Sequence, residues 1–156
     1  MSDVNFYASK PMTDALVAEI TDQYPTYLSA IATASGMTLR PVETVKVSID
    51  YTSKGIEKPC ILIDPRRLDI EDETSGRIGA IYTYDIVIGY DGFDEEEAAD
   101  AVQLYADAFV SMVVSDDYFS GQLDHASVKN IEYYPGGSLV SRYAVLQLEL
   151  TLEIER

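Results

Sequence analysis

The chain predicts an α+β fold, an antiparallel β-sheet with a long helix packed on one face and an N-terminal helical region. Three observations carry this. From Leu139 to Arg156 the residues alternate strictly, with Leu146, Leu148, Leu150, Leu152 and Ile154 on one face and Val145, Gln147, Glu149, Thr151 and Glu153 on the other. Such a period of two is that of a half-buried strand. A second alternation runs from Ala80 to Tyr90, and Ala98, Ala101, Val102, Tyr105, Phe109, Met112 and Val113 recur at the spacing of a helix stripe.

Taken in order, residues 1–11 are expected as a flexible or extended arm before one domain spanning residues 1–156. Thr13 is the candidate cap of a helix carrying Leu16, Val17 and Ile20, and Pro25 should interrupt it. Leu28, Ile31 and Ala32 continue the pattern to a stop at Gly36, so two short helices or one broken helix are expected. Met37 to Glu43 reads as a linker. Val45, Val47 and Ile49 then alternate with polar residues up to the turn at Ser53-Lys54-Gly55. Another strand begins after Pro59 with Cys60 to Ile63, and Pro65 should end or bend it. The polar stretch that follows contains Glu71, Asp72 and Glu73, expected in an exposed hairpin loop joining two antiparallel strands.

Asp91-Gly92 marks a turn into the clearest helix, about Asp94 to Val114. Its opening run Asp94-Glu95-Glu96-Glu97 suits a helix N-terminus, where carboxylates meet unpaired N–H groups. Val128 to Tyr134 gives a further strand, and Pro135-Gly136-Gly137 turns it into the terminal one.

Composition narrows the function. There are 27 acidic and 11 basic side chains, a formal charge of −16 and an isoelectric point near 4.1. That field repels phosphate, and the only adjacent cations are Arg66 and Arg67, so nucleic-acid recognition is not expected. No segment has the length of apolar sequence needed to span a bilayer, and the N-terminus lacks a signal-peptide pattern, which predicts assembly in a cytoplasm without a membrane partner. The single cysteine, Cys60, reads as a small buried hydrophobe.

No catalytic, cofactor or metal motif emerges. His125 is the only histidine and is expected in a loop; the acidic clusters at Asp69 to Glu73 and Asp91 to Glu97 lack calcium-loop spacing. Twelve tyrosines and no tryptophan, several tyrosines on expected strands, suit sheet packing and protein contacts.

The segments KPCILID, YTYDIVIGY, DEEEAADAVQLYADAFVSMV, VKNIEYYP and YAVLQLELTLEI, in that order after an N-terminal helix, resemble the tail terminator (tail completion) proteins of long-tailed bacteriophages. The resemblance covers about residues 12 to 155 and rests on element order and the alternating final strand. It implies a non-enzymatic virion protein at the tail-neck junction. Such a protein forms a ring, usually of six copies, on the last ring of the tail tube and joins it to neck and connector proteins, with DNA passing through unbound. The expected assembly elements are the terminal strand, with Arg142, Gln147, Glu149, Thr151 and Glu153 along what should be a free edge, and the acidic loop with Glu71, Asp72 and Glu73. A neck or head-completion protein has the same logic. A small acidic enzyme or ligand-binding domain stays open as the reading of another class, and it requires a concavity with converging polar groups.

Overall fold

The computed structural model describes residues 9–48, 56–72, 77–115 and 123–155. Their order is α1 (Ser9–Ser35), β1 (Thr44–Val47), β2 (Cys60–Asp72), β3 (Arg77–Asp91), α2 (Glu95–Ser115), β4 (His125–Pro135) and β5 (Ser141–Glu155). The five strands form one sheet in the order β1-β2-β3-β5-β4. Every pairing is antiparallel except β1 with β2, which is parallel. The α+β architecture expected from the sequence is therefore present, with both helices on one face of the sheet.

The main core lies between that face and the helices. Ile61 and Ile63 of β2, Tyr82, Tyr84, Ile86 and Ile88 of β3, and Leu146, Leu148 and Leu150 of β5 meet the α2 stripe from Ala98 to Val113. All the residues of that predicted stripe are buried. The opposite face carries a smaller cluster, Cys60, Leu62, Val87 and Tyr143, with Ile56 and Val145 packed against it.

Helix α1 departs from expectation. It is one continuous helix of 27 residues with Pro25 inside it, and it takes in Ser9 to Pro11, part of the expected arm. Residues 1–8 lie outside the described residues. An internal proline removes one backbone hydrogen bond and costs about 3 kcal/mol. Against this, Met12, Leu16, Ile20, Tyr24 and Leu28 recur every four residues and are all buried. Each such side chain contributes about 1.5–3 kcal/mol on burial, so the stripe outweighs the proline. Pro25 itself is exposed. Thr13 is no cap; it is buried within the helix, its hydroxyl 3.0 Å from the Tyr84 hydroxyl. The stop at Gly36 is as expected: its φ is +74°, and its N–H donates to the Ala32 carbonyl at 3.0 Å. Glycine takes that left-handed position without a Cβ penalty.

Strand β2 also runs further than expected. Pro65 does not end it; the register shifts between Pro65 and Arg67, a bulge that absorbs the missing N–H, and pairing with β3 resumes through Asp72. Glu71 and Asp72 are thus strand residues, and the loop is shorter than predicted. Glu73, like Ser53-Lys54-Gly55, falls outside the described residues. His125 opens β4 instead of lying in a loop.

The start of α2 is built as its acidic run suggests. The Glu97 N–H donates to Asp94 Oδ1 at 2.8 Å, and Glu97 Oε1 accepts from the Phe93 N–H at 3.0 Å, a variant of the capping box. Gly92 is required there, because a Cβ would stand 2.3 Å from Glu97 Oε1 and 2.9 Å from the Ala98 Cβ.

Strand β5 is the long strand expected, from Ser141 instead of Leu139, but its edge is not free. All of Ser141–Glu155 pairs with β3, and Arg142 to Thr151 pairs on the other side with β4. The terminal strand is interior. Among the described residues, the strand edges without a strand partner are the outer edges of β1 and β4, the stretch of β2 beyond Ile63, where β1 stops, and the end of β5 beyond Thr151, where β4 stops.

Two substitutions test this architecture. Leu150 is fully buried, so Leu150→Ala should cost about 2–5 kcal/mol in denaturant unfolding through lost transfer energy and the cavity left behind. Glu149→Pro removes a ladder hydrogen bond from an interior strand; it should lower the melting temperature of the monomer itself, whereas an unchanged melting temperature would put β5 at an edge.

Candidate assembly surface

Burial fades along the strands towards one end of the sheet. On β5, Leu146, Leu148 and Leu150 are fully buried whereas Leu152 is partly exposed; on β2, Ile63 is fully buried, Leu68 is half-buried and Ile70 is 58% exposed. Strand register explains what gathers there. Ile70 pairs with Ala80, which pairs with Leu152, so the helix-side face of the sheet continues past the helices as an apolar row. Ile78, one step further out, is half-buried.

The other face of this sheet end is acidic. Glu71 pairs with Gly79, which pairs with Glu153, so the two carboxylates share a row with a glycine between them. In the next row Asp69, Ile81 and Thr151 line up, and Asp69 accepts from Arg67 Nε at 2.8 Å. Strand β4 stops pairing at Thr151; there Asp124 takes over, its N–H donating to the Thr151 carbonyl at 3.0 Å and its Oδ2 accepting the Glu153 N–H at 2.5 Å. The result is a three-stranded overhang with one apolar and one acidic face.

The sequence-predicted assembly residues divide accordingly. Glu71, Asp72, Thr151 and Glu153 come together at the overhang, and Glu149 lies one row behind Thr151, 3.9 Å from Lys129 Nζ. Gln147 sits in mid-sheet, accepting from Asn130 Nδ2 at 2.9 Å. Arg142 is at the opposite end of β5, about 37 Å from Glu153 at the rise of a strand. It bonds the Leu139 and Ser141 carbonyls at 2.9 Å and Glu95 at 3.4 Å, bracing the β4–β5 turn against α2. Sequence reasoning missed Ile70, although Leu68 and Ile70 already alternate with Arg67, Asp69 and Glu71.

Two hollows bear on binding. One, of about 340 Å³, lies between α1 and residues 39–45, lined by Ile20, Tyr24, Pro25, Leu28, Leu39 and Val42. The other, of about 470 Å³, lies on the outer sheet face between the two bulged strands. Its polar groups converge but pair among themselves: Arg66 lies 3.1 Å from Asp64 and 3.5 Å from Asp85, Asn130 bonds Gln147, and the Tyr134 hydroxyl donates to Glu132. Burial pushes the Asp85 carboxyl above the usual range; Arg66 pulls it down, and Asp64 and Glu132 push it up. Cys60 is buried, and burial raises its thiol too. Among the described residues no cluster of three or more His, Cys, Asp or Glu is placed to hold a metal ion, and no helix is long and apolar enough to cross a membrane.

No protein-family model matches the chain, and no curated protein matches it. Among solved structures it is similar to a chain of the virion of a native gene transfer agent particle, at a TM-score of 0.39 and 13% identity, over 84% of this chain and 92% of that one. A TM-score that low carries no argument about function.

Asp85 yields a prediction with a definite sign. A carboxyl raised in the fold holds its proton where the unfolded chain has lost it, so stability falls as pH rises from 3.8, the ordinary value, through the folded value. Asp85→Asn should therefore melt no lower than the parent at pH 7, with any gain shrinking as pH approaches 3.8; a large loss at pH 7 would make the Arg66 pairing dominant.

Proposed function

We propose that this chain is a virion structural protein of a long-tailed phage, a tail terminator whose copies close into a ring on the end of the tail tube. The observation that carries the reading is the overhang: a sheet end that outruns its helices and leaves Ile70, Ile78 and Leu152 partly open in neighbouring rows. Exposed apolar residues grouped on one rigid element suit a protein contact. The order of elements is also the one on which the resemblance to the tail terminators rests.

The role is scaffolding without catalysis. Six copies is the number the family resemblance implies, and ring closure requires a heterologous contact, one surface of each copy meeting a different surface of the next. The formal charge of −16 per copy suits a hole through which DNA passes without adhering. Tail tube below and neck proteins above would be the partners, and the virion the location. The overhang replaces the terminal strand's edge as the proposed assembly element, since β4 covers that edge from Arg142 to Thr151.

Electron microscopy of the purified protein mixed with polymerising tail-tube protein should show tubes capped at one end and arrested in length. Tubes that grow unchanged, with the protein found instead on head connectors, would make it a neck protein.

A further inference from the structure

We infer that residues 1–8, the segment leading into α1, cover the apolar row of the overhang in the free chain and yield it when a partner takes that row. The contact itself stands apart from the tail-terminator reading; only its consequence for assembly rests on that reading.

The direction of α1 carries the inference. Thr13 stands over Tyr84, their hydroxyls 3.0 Å apart. Further along, the Tyr24 hydroxyl donates to the Tyr105 carbonyl at 2.8 Å, and the Tyr105 ring lies 5.2 Å from that of Tyr90. Helix α1 therefore runs alongside β3 in the same direction, and its first turn points back towards the overhang. From Thr13 to Ser9 the helix rises about 6 Å, close to the step of about 7 Å from Tyr84 to Tyr82 along β3. The chain leading into Ser9 thus arrives at the level of Tyr82, and the next row outward on the same face is Ile70, Ala80 and Leu152.

Reach and composition fit. An extended segment of that length spans about 27 Å, whereas the row crosses three strands, about 10 Å at the spacing of a sheet. Residues 1–8 contain no basic side chain, and Asp3 is their one acidic residue. Val4 and Phe6 are two apart, so an extended chain turns both to one side. Facing them are Ile70 and the half-buried Leu68 and Leu152. Asp69, Glu71 and Glu153 belong to the opposite face of the sheet and do not oppose the contact.

Tethering selects this occupant over a second copy. A segment attached at the rim of the row meets it at an effective concentration on the order of millimolar, while two chains of formal charge −16 repel each other. A partner's apparent affinity for the row is then lowered to the fraction of chains in which the row is open. In a terminator, such a segment holds copies apart until the tail tube offers a competing surface.

Thiol labelling of the full chain tests this. Ile70→Cys and, separately, Leu152→Cys are labelled with iodoacetamide at low protein concentration, and modified peptides are counted by mass. Buried Cys60 must stay unlabelled, which certifies the fold. Adding Val4→Ser and Phe6→Ser should speed labelling about tenfold at one or both positions, as for a row covered nine-tenths of the time. Equal rates at both positions overturn the contact, and protection that disappears on dilution overturns it too, since another copy is then the cover. In the tube assay the Val4→Ser/Phe6→Ser chain should cap at a lower concentration than its parent, and equal thresholds overturn the competition. If neither chain caps tubes while the labelling difference is present, the terminator reading fails and the contact stands.

Discussion

Everything in this molecule hangs on the pairing of β3 with β5. The two strands lie antiparallel along their whole lengths, Arg77 opposite Glu155 at one end and Asp91 opposite Ser141 at the other. Neither has a bulge in this ladder, so side chains keep one alternation throughout. The helix-side face of that pair supplies most of the sheet's contribution to the core, and β2 and β4 add to its two flanks. Because both partners are 15 residues long, well beyond the usual five or six, the ladder outreaches the helices that cover it. The overhang is a consequence of that mismatch in length.

The flanking strands accommodate themselves to this straight pair through bulges. β2 shifts register at Pro65/Arg67 and β4 at Val128/Asn130. The bulges stand on either side of Thr83, Asp85, Gln147 and Glu149, and the outer-face hollow lies between them. Arg66 pairs there with Asp64 and Asp85, while Glu132 accepts from Tyr134. On the other face, tyrosine hydroxyls tie the layers together. Tyr24 of α1 bonds the Tyr105 carbonyl of α2, and the Tyr105 hydroxyl in turn bonds the Arg40 carbonyl at 2.6 Å. These amphipathic rings fill the core while their hydroxyls reach backbone acceptors. Tyr133 and Tyr134 instead remain exposed near the β4 edge.

How far local rules carried depended on whether packing opposed them. The α2 stripe and the β3 and β5 alternations were readable because each pattern keeps a single face towards the helices' side. Gly36 was readable because a left-handed residue has a local cause. Pro25 and Pro65 were not, since each breaks a hydrogen-bonding rule that a neighbouring element offsets: the buried stripe of α1 in one case, a bulge against β3 in the other. Of the residues expected at an assembly surface, Glu71 and Glu153 are far apart in the chain; only the register through Gly79 puts them in one row. Arg142, on the same strand as Glu153, is held at the far end by its own turn.

By itself, then, the amino-acid order determined which residues face inward, where α2 begins and α1 ends, and the acidic character of the chain as a whole. Those are properties of period, backbone conformation and charge, each set within a few residues. The β2–β3 and β4–β5 pairs follow from the turns between them; that β3 lies beside β5 and β1 beside β2, and therefore which edges and ends are left open, was decided only in three dimensions. An alternating strand specifies its two faces but says nothing about what pairs along its two edges, because backbone N–H and C=O groups are the same at every residue.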